Sequence, residues 1–409
     1  MKGFFQSSVI TSKKPESLLP QCGICGIFKS CKSPKMPVTG EGRKGILIVG
    51  EAPGETEDDQ NVQFIGPAGQ ELRKPLRALG IDLDRDCWKT NALICRPTKK
   101  DDNGYIKNRP PTDKEIGYCR PNLQNTIRKL NPRVIITLGL YATQSVIDPL
   151  WSDGVGQQIT KWVGWKIPSQ KINTWICPTY HPSYILRSKD QPNGKVIKLW
   201  FERHLKAAVE LEDRPWKEIP DYASQIKVTA TPWKVARWLR ELIHKGKAIS
   251  FDLETNCLKP DSDDAEIVCC AVCWNGVKTV AYPWVGEVIE ATKELLVSDV
   301  PKIGYNVKFE SRWIKTKLGI DVNNWVWDGM LSAHHLDNRR GITSAKYQAF
   351  VRLGVPLWNE HIEPFLKSTD DSGINRIREI PMRDLLVYCG TDSLVEFLIA
   401  NIQKKEMLG

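Results

Sequence analysis

Cys22 and Cys25 stand two residues apart in QCGIC, a spacing at which one short turn can aim both thiolates at the same ion. Cys95 in NALICRP and Cys119 in EIGYCRP add two more thiols. Four thiolates drawn from distant segments suit zinc or an iron–sulfur cluster, and spacing does not choose between them. Cys31, six residues past Cys25, is a substitute ligand. A second chemistry-bearing stretch is ILIVGEAPGETE, Ile46 to Glu57. Four apolar residues run into a turn broken by Gly50, Pro53 and Gly54, where main chain can approach a ligand closely. Glu51, Glu55 and Glu57 argue against a phosphate cradle, and the Lys-Ser/Thr pair of a P-loop is missing. Further on, AISFDLETN carries Asp252 and Glu254, placed by the apolar run Ala248 to Phe251 at a sheet edge. Tyr388 and Asp392 are four apart in a long helical stretch and share one face. Any one of these features alone reads as ordinary structure: a core cysteine, a tight turn, a solvated acid.

Elements must hold these groups in place. Ile46–Val49, CWKTN, RVIITLG and Thr174 to Cys177 read as buried strands. Between them GPAGQELRKPLRALGI reads as a helix with Leu72, Leu76 and Leu79 on one face and Gly80 as its stop. Thr112-x-x-Glu115 is a capping box that starts the helix bearing Cys119. KKDDNGYIKNRPP is a polar, basic insert, and KVIKLWFERHLKAAVEL closes the region as a helix. Strands alternating with helices predict an α/β domain with a mostly parallel sheet. Residues 1–21 read as a flexible N-terminus and the charged stretch 211–226, with two prolines, as a linker. A second α/β domain then opens with a helix capped at Thr231. It continues with AISFDLETN, a hairpin turning at Asn275-Gly276, several helices, and a long final helix.

The first 210 of the 409 residues hold 32 Lys or Arg against 20 Asp or Glu, so the basic half is the better partner for a phosphate backbone. No apolar run approaches the roughly 18–20 residues of a membrane span, and no export signal opens the chain. The expected location is cytoplasmic, in a host cytoplasm if the protein is viral. Twelve cysteines in a chain of this length do not make a disulfide scaffold.

Residues 22 to about 208 resemble the iron–sulfur uracil-DNA glycosylases. The resemblance rests on Gly50–Glu57 (GEAPG followed by acids), Gln63–Gly66, Gly66-Pro67-Ala68-Gly69, Thr90-Asn91, Cys95-Arg96-Pro97, Glu115–Pro121 and His181–Leu186. Gln63 stands where that family usually has proline, and the insert between Cys95 and Cys119 is longer. Residues 227 to about 405 look like the proofreading 3′–5′ exonuclease of the DNA polymerase I family. They carry Asp252-x-Glu254, an Asn306–Glu310 motif with Glu where the family has Asp, and Tyr388-x3-Asp392. The order of the two domains resembles the front end of some bacteriophage DNA polymerases.

The resemblance implies a uracil-DNA glycosylase-like α/β/α domain over 22–210 and a ribonuclease H-like (DnaQ-like) exonuclease domain over 227–409. In the first, it implies a 4Fe-4S cluster on Cys22, Cys25, Cys95 and Cys119. It also implies a pocket walled by Gly50, Glu51, Ala52, Pro53 and Gly54, with Phe64 stacking on a flipped base and Asn91 reading its edge. His181 would donate to the leaving oxygen, Glu51 or Glu57 would orient water, and Ser183 and Arg187 would hold phosphate. In the second, Asp252, Glu254, Glu310 and Asp392 would hold two Mg²⁺ or Mn²⁺ ions. Tyr388 would orient the attacking water, and Asn306 would contact DNA. The expected partner is DNA, single-stranded or primer–template, with a separately encoded polymerase subunit. The competing expectation is a weakly catalytic DNA-binding subunit of a split polymerase.

Overall fold

The computed structural model describes residues 19–368 and 373–408, in two compact units that divide between Glu218 and Ile219. The stretch expected to be flexible, 1–21, lies almost wholly outside the described residues.

The first unit is a five-stranded sheet. Its strands are β1 (Ile46–Gly50), β2 (Cys87–Asn91), β5 (Val134–Leu138), β6 (Ile167–Ser169) and β7 (Thr174–Thr179). The order is β2-β1-β5-β7-β6, parallel except for the antiparallel edge strand β6. A small hairpin, β3 (Thr98–Lys100) and β4 (Ile106–Asn108), forms the basic insert. All five residues of β1 are buried, as a strand covered on both faces requires. Ile46, Ile48, Val134 and Ile136 pack with Leu72 and Leu76 of helix Pro67–Ala78 and with Phe201 and Leu205 of helix Gly194–Val209. The capping box forms: Thr112 Oγ1 accepts from Glu115 N, and Glu115 Oε2 accepts from Thr112 N at 2.8 Å. The first part of the charged stretch is a strap tied to this unit. Trp175 Nε1 donates to Asp213 O, Trp216 Nε1 donates to Pro168 O, and Arg214 donates to Asn131 O and Asn173 O.

The second unit is a mixed six-stranded sheet, the kind seen in ribonuclease H-like exonucleases. It comprises β8 (Ile226–Val228), β9 (Ile249–Thr255), β10 (Ile267–Trp274), β11 (Lys278–Pro283), β12 (Lys302–Gly304) and β13 (Trp325–Asp328). The order is β13-β12-β9-β10-β11-β8. The hairpin between β10 and β11 turns at Asn275 (φ 59°) and Gly276 (φ 68°), as its Asn-Gly pair demands. Thr231 starts helix Pro232–Lys245 but makes no side-chain cap bond. Alternation along β9 divides its side chains. Phe251 and Leu253 enter the core under helices Pro232–Lys245 and Glu287–Val297, while Ser250 faces the final helix, Met382–Leu408. Ser250 Oγ donates to Ser393 O at 2.6 Å and Ser393 Oγ returns a bond to Ser250 O, fastening helix to strand. Against the expectation that no apolar run approaches a membrane span, the final helix is long and apolar enough by length and composition to cross one, but most of that stretch is buried inside this unit.

Candidate active sites on the two units

In the first unit the carboxyl ends of β2, β1 and β7 carry the expected groups, the place where open α/β sheets bind ligands. Asn91 ends β2 and pairs in register with Gly50, which ends β1. A Cβ on Gly50 would collide with Asn91 Oδ1 and lie 2.7 Å from Phe64 Cζ, so only glycine leaves room for these side chains. Phe64 is buried at φ 56°, a conformation that bulky residues adopt only when their surroundings enforce it. Next along the sheet, Gly139 follows β5, and a Cβ there would press on His181, just beyond β7.

His181 caps the short helix Pro182–Ser188. Its Nδ1 accepts from Ser183 N at 3.2 Å and lies 2.7 Å from Ser183 Oγ, which accepts from Arg187 Nη1 at 3.0 Å. With Nδ1 an acceptor, the ring proton belongs on Nε2. Burial, helped by the Arg187 charge, pushes the imidazole down to about 4, so it is neutral near pH 7. Ser183 Oγ thus sits between His181 Nδ1 and the Arg187 guanidinium, where it orients the imidazole. Burial raises the Glu51 carboxyl, against the lowering effect of Arg187.

Two of these residues have structural partners. Backbone donors hold both oxygens of Glu57. Its Oε1 accepts from Ile65 N at 3.1 Å and Gly66 N at 2.8 Å, and its Oε2 accepts from Gly54 N at 3.1 Å. It clamps the Gly50–Gly54 turn to the segment holding Phe64. Glu57→Ala is expected to cost the first unit about 1–3 kcal/mol, the cost of partly buried donors left unpaired, read as a lowered denaturant midpoint. Gln63, noted only as a departure, is fully buried and accepts from Asn91 Nδ2, while its own Nε2 donates to Pro37 O. A carbonyl can only accept, so Gln63 presents its oxygen to Asn91 and turns the Asn91 oxygen toward Gly50.

Cys22, Cys25, Cys95 and Cys119 line one cavity with Phe28, Leu93, Ile94 and Tyr118. Among the described residues no three of these sulfurs lie together within 4.8 Å. Burial raises the Cys25 and Cys95 thiols and pushes Cys119 up to about 11. Cys31 does not line the cavity; its thiol donates to Ile27 O at 3.3 Å and Arg96 O at 3.5 Å. The apolar group around the thiols includes Ala92, Leu93 and Ala52, which flank Asn91 and sit in the Gly50–Gly54 turn.

In the second unit Asp252 and Glu254 lie inside β9, an interior strand, and not at the sheet edge that their position after an apolar run suggested. With Cys389 they offer ligand atoms within 4.8 Å of one another. Asp252 Oδ2, Glu310 Oε2 and Glu396 Oε2 are buried without a hydrogen-bond partner, a pattern that suits a cation. Burial and then the Asp392 charge push Asp252 up to about 8, and burial raises Glu254, Glu310 and Glu396 well above the carboxylate range. Glu310 enters from helix Lys308–Leu318, whose start is set by Asp328. That carboxylate accepts from Asn306 N at 3.1 Å and Val307 N at 3.0 Å, and caps the helix Gly329–Leu336. Asn306 turns at φ 64°, and its Oδ1 is buried without a partner. Tyr388 and Asp392 meet Lys346, whose Nζ pairs with Asp392 Oδ1 and lies 3.4 Å from Tyr388 Oη. Trp358 Nε1 donates to the same Asp392 oxygen at 3.0 Å. Glu396, Lys346, Trp358 and Asp328 were not foreseen. Glu396, one helical turn past Asp392, was the one that spacing could have found.

Residues 37–205 match the uracil DNA glycosylase superfamily and residues 229–407 match the 3′-5′ exonuclease domain of A-type DNA polymerases. A type-4 uracil-DNA glycosylase of Pyrobaculum aerophilum is 34% identical over 177 residues, covering 43% of this chain and 84% of that protein. A DNA polymerase of Bacillus phage SP01 is 24% identical over 403 residues, covering 89% of this chain and 40% of that protein. The catalytic core of RRP6 from Trypanosoma brucei superposes with a TM-score of 0.36 at 15% identity, covering 45% of this chain and 47% of that one. Through its first unit the chain belongs to the uracil-DNA glycosylase superfamily, and it joins that domain to a 3′–5′ exonuclease domain of the DNA polymerase A type.

Proposed function

We propose that the first unit hydrolyses the bond between uracil and deoxyribose in DNA, and that the second removes nucleotides from a DNA 3′ end with divalent metal. The observation that carries the first part is the meeting of Asn91 and Phe64 over Gly50, on the sheet edge that also bears His181. A flipped uracil stacks on Phe64, its N3–H bonds the Asn91 oxygen that Gln63 turns inward, and His181 Nε2–H donates to the oxygen gathering charge. Glu51 is the carboxylate left to orient water. Purified protein is expected to release free uracil from single- or double-stranded oligonucleotides. Intact DNA binding without release would replace this reading with a non-catalytic DNA-binding module. The similarity to a phage DNA polymerase supports action beside a polymerase during DNA replication.

The four cavity cysteines suit a 4Fe-4S cluster. Its role would be structural, because the same apolar group buttresses Ala52 and the residues after Asn91. The protein is expected to be brown and to contain iron and acid-labile sulfide in cluster proportion; zinc without iron would reverse the assignment.

In the second unit Asp252, Glu254 and Glu310 would hold divalent metal, which lowers the charge barrier at the reacting phosphate. Glu310 keeps the charge of the family's Asp but adds a methylene, and Mg²⁺ tolerates little distortion. Glu310→Asp is expected to raise the Mg²⁺-supported exonuclease rate several-fold while changing the Mn²⁺-supported rate less. A lower rate with both ions would mean that the pocket is fitted to glutamate.

A further inference from the structure

We propose that Lys346 is a resident cation of the exonuclease centre, and that this centre therefore works with one bound divalent ion instead of two. The inference rests on the exonuclease reading of the second unit.

Lys346 is the second residue of helix Ala345–Leu353, which starts at the Ser344 cap. Its ammonium is paired with Asp392 Oδ1 and lies 3.4 Å from Tyr388 Oη. It also stands over two aromatic faces, 4.2 Å from the Trp358 ring centre and 4.7 Å from that of Tyr388. Trp358 Nε1 fills a second approach to the same Asp392 oxygen, at 3.0 Å. A lysine at a protein surface usually keeps a mobile, hydrated head group. This one is held by a carboxylate, a phenol and two π-faces, and its side chain is only 20% exposed.

The acids of the site thus fall into two groups. Asp392 already has its cation and an indole donor. Asp252 and Glu254 converge on a point with Cys389, and Asp252 Oδ2 and Glu310 Oε2 remain unpartnered. A divalent ion on Asp392 would share one carboxylate with an ammonium already on its Oδ1, and like charges that close repel. An ion between Asp252, Glu254 and Glu310 meets no such obstacle. Beside the Tyr388 hydroxyl, the ammonium is placed to stabilise an attacking water and the charge growing on the phosphate, the service a second ion gives in two-ion sites.

The test counts Mn²⁺ bound by the full chain in equilibrium dialysis. A short single-stranded oligodeoxythymidine with a phosphorothioate terminal linkage is present, and Asp252→Ala gives the baseline. Wild type and Lys346→Arg are expected to bind one ion above the baseline, and Lys346→Met two. The exonuclease rate of Lys346→Met should fall at low Mn²⁺ and rise with the second power of ion concentration. Two ions in wild type, or one in Lys346→Met, overturns the proposal while leaving the exonuclease reading intact; the wild-type count decides even if the methionine variant does not fold. No ion above the baseline in any of them overturns that reading and the proposal together.

Discussion

Asp252→Ala is expected to lower exonuclease activity by about 10³-fold or more, with uracil release unchanged. Asp252 is the acid that most others in the site share. It converges with Glu254 and Cys389, and its charge raises Glu254, Glu310 and Glu396. Removing it takes away one of the three groups of the candidate metal site, and electrostatic stabilisation of the reacting phosphate is the main thing such a site provides. The same crowding makes a pH prediction. Asp252 titrates near 8 in the metal-free fold and near 4 in an unfolded chain, so the fold binds its proton more tightly. That contribution is present in full below about pH 4 and is lost as pH rises to about 8. Metal-free protein should thus lose stability over this window, and Mg²⁺ should restore it most at the alkaline end. Thermal melts with and without Mg²⁺ at pH 5 and pH 8 give the comparison. An equal gain from Mg²⁺ at both would show that the acids are not the binding groups.

His181→Ala is expected to lower uracil release by about 10²- to 10³-fold, the usual loss of one donor aimed at a developing oxyanion. Its neutral, Nε2-protonated state makes a second expectation. With the imidazole pushed down to about 4, the rate should stay level from pH 6 to pH 8 as far as this group is concerned. A rate falling through pH 6.5 would mean that the imidazolium is the working form. Stability moves in the other direction from that at Asp252. The folded state holds the His181 proton less tightly than the unfolded chain, so its contribution is present above about pH 6.5 and is lost as pH falls toward 4.

The strands with clean apolar runs were legible from sequence, as were the Asn275-Gly276 hairpin and the Thr112 capping box, because each follows from local chemistry. The short strands β6, β8 and β13 were not. IPS, IKV and WVWD are too brief to show alternation and exist because a neighbouring strand offers a free edge. The same division holds in the sites. Asn91, Phe64 and His181, or Asp252 and Asp392, announce themselves by motif. What orients them does not. Nothing in the motif shows that three backbone donors hold Glu57, and Gln63 looks like a mere departure until it is found holding Asn91. Lys346 lies 46 residues before its partner Asp392, in a helix with no motif of its own. Long-range pairs of this kind leave no spacing to read.

The strap that follows the first unit decides where the chain can be divided. A cut after residue 210, where the last helix of the first unit ends, would strip the partners from Trp175, Asn173 and Arg133 and carry off Arg214 and Trp216. A cut after Glu218 takes none of these away. An isolated glycosylase fragment should therefore keep eight residues that look, by composition, as though they belong to neither half.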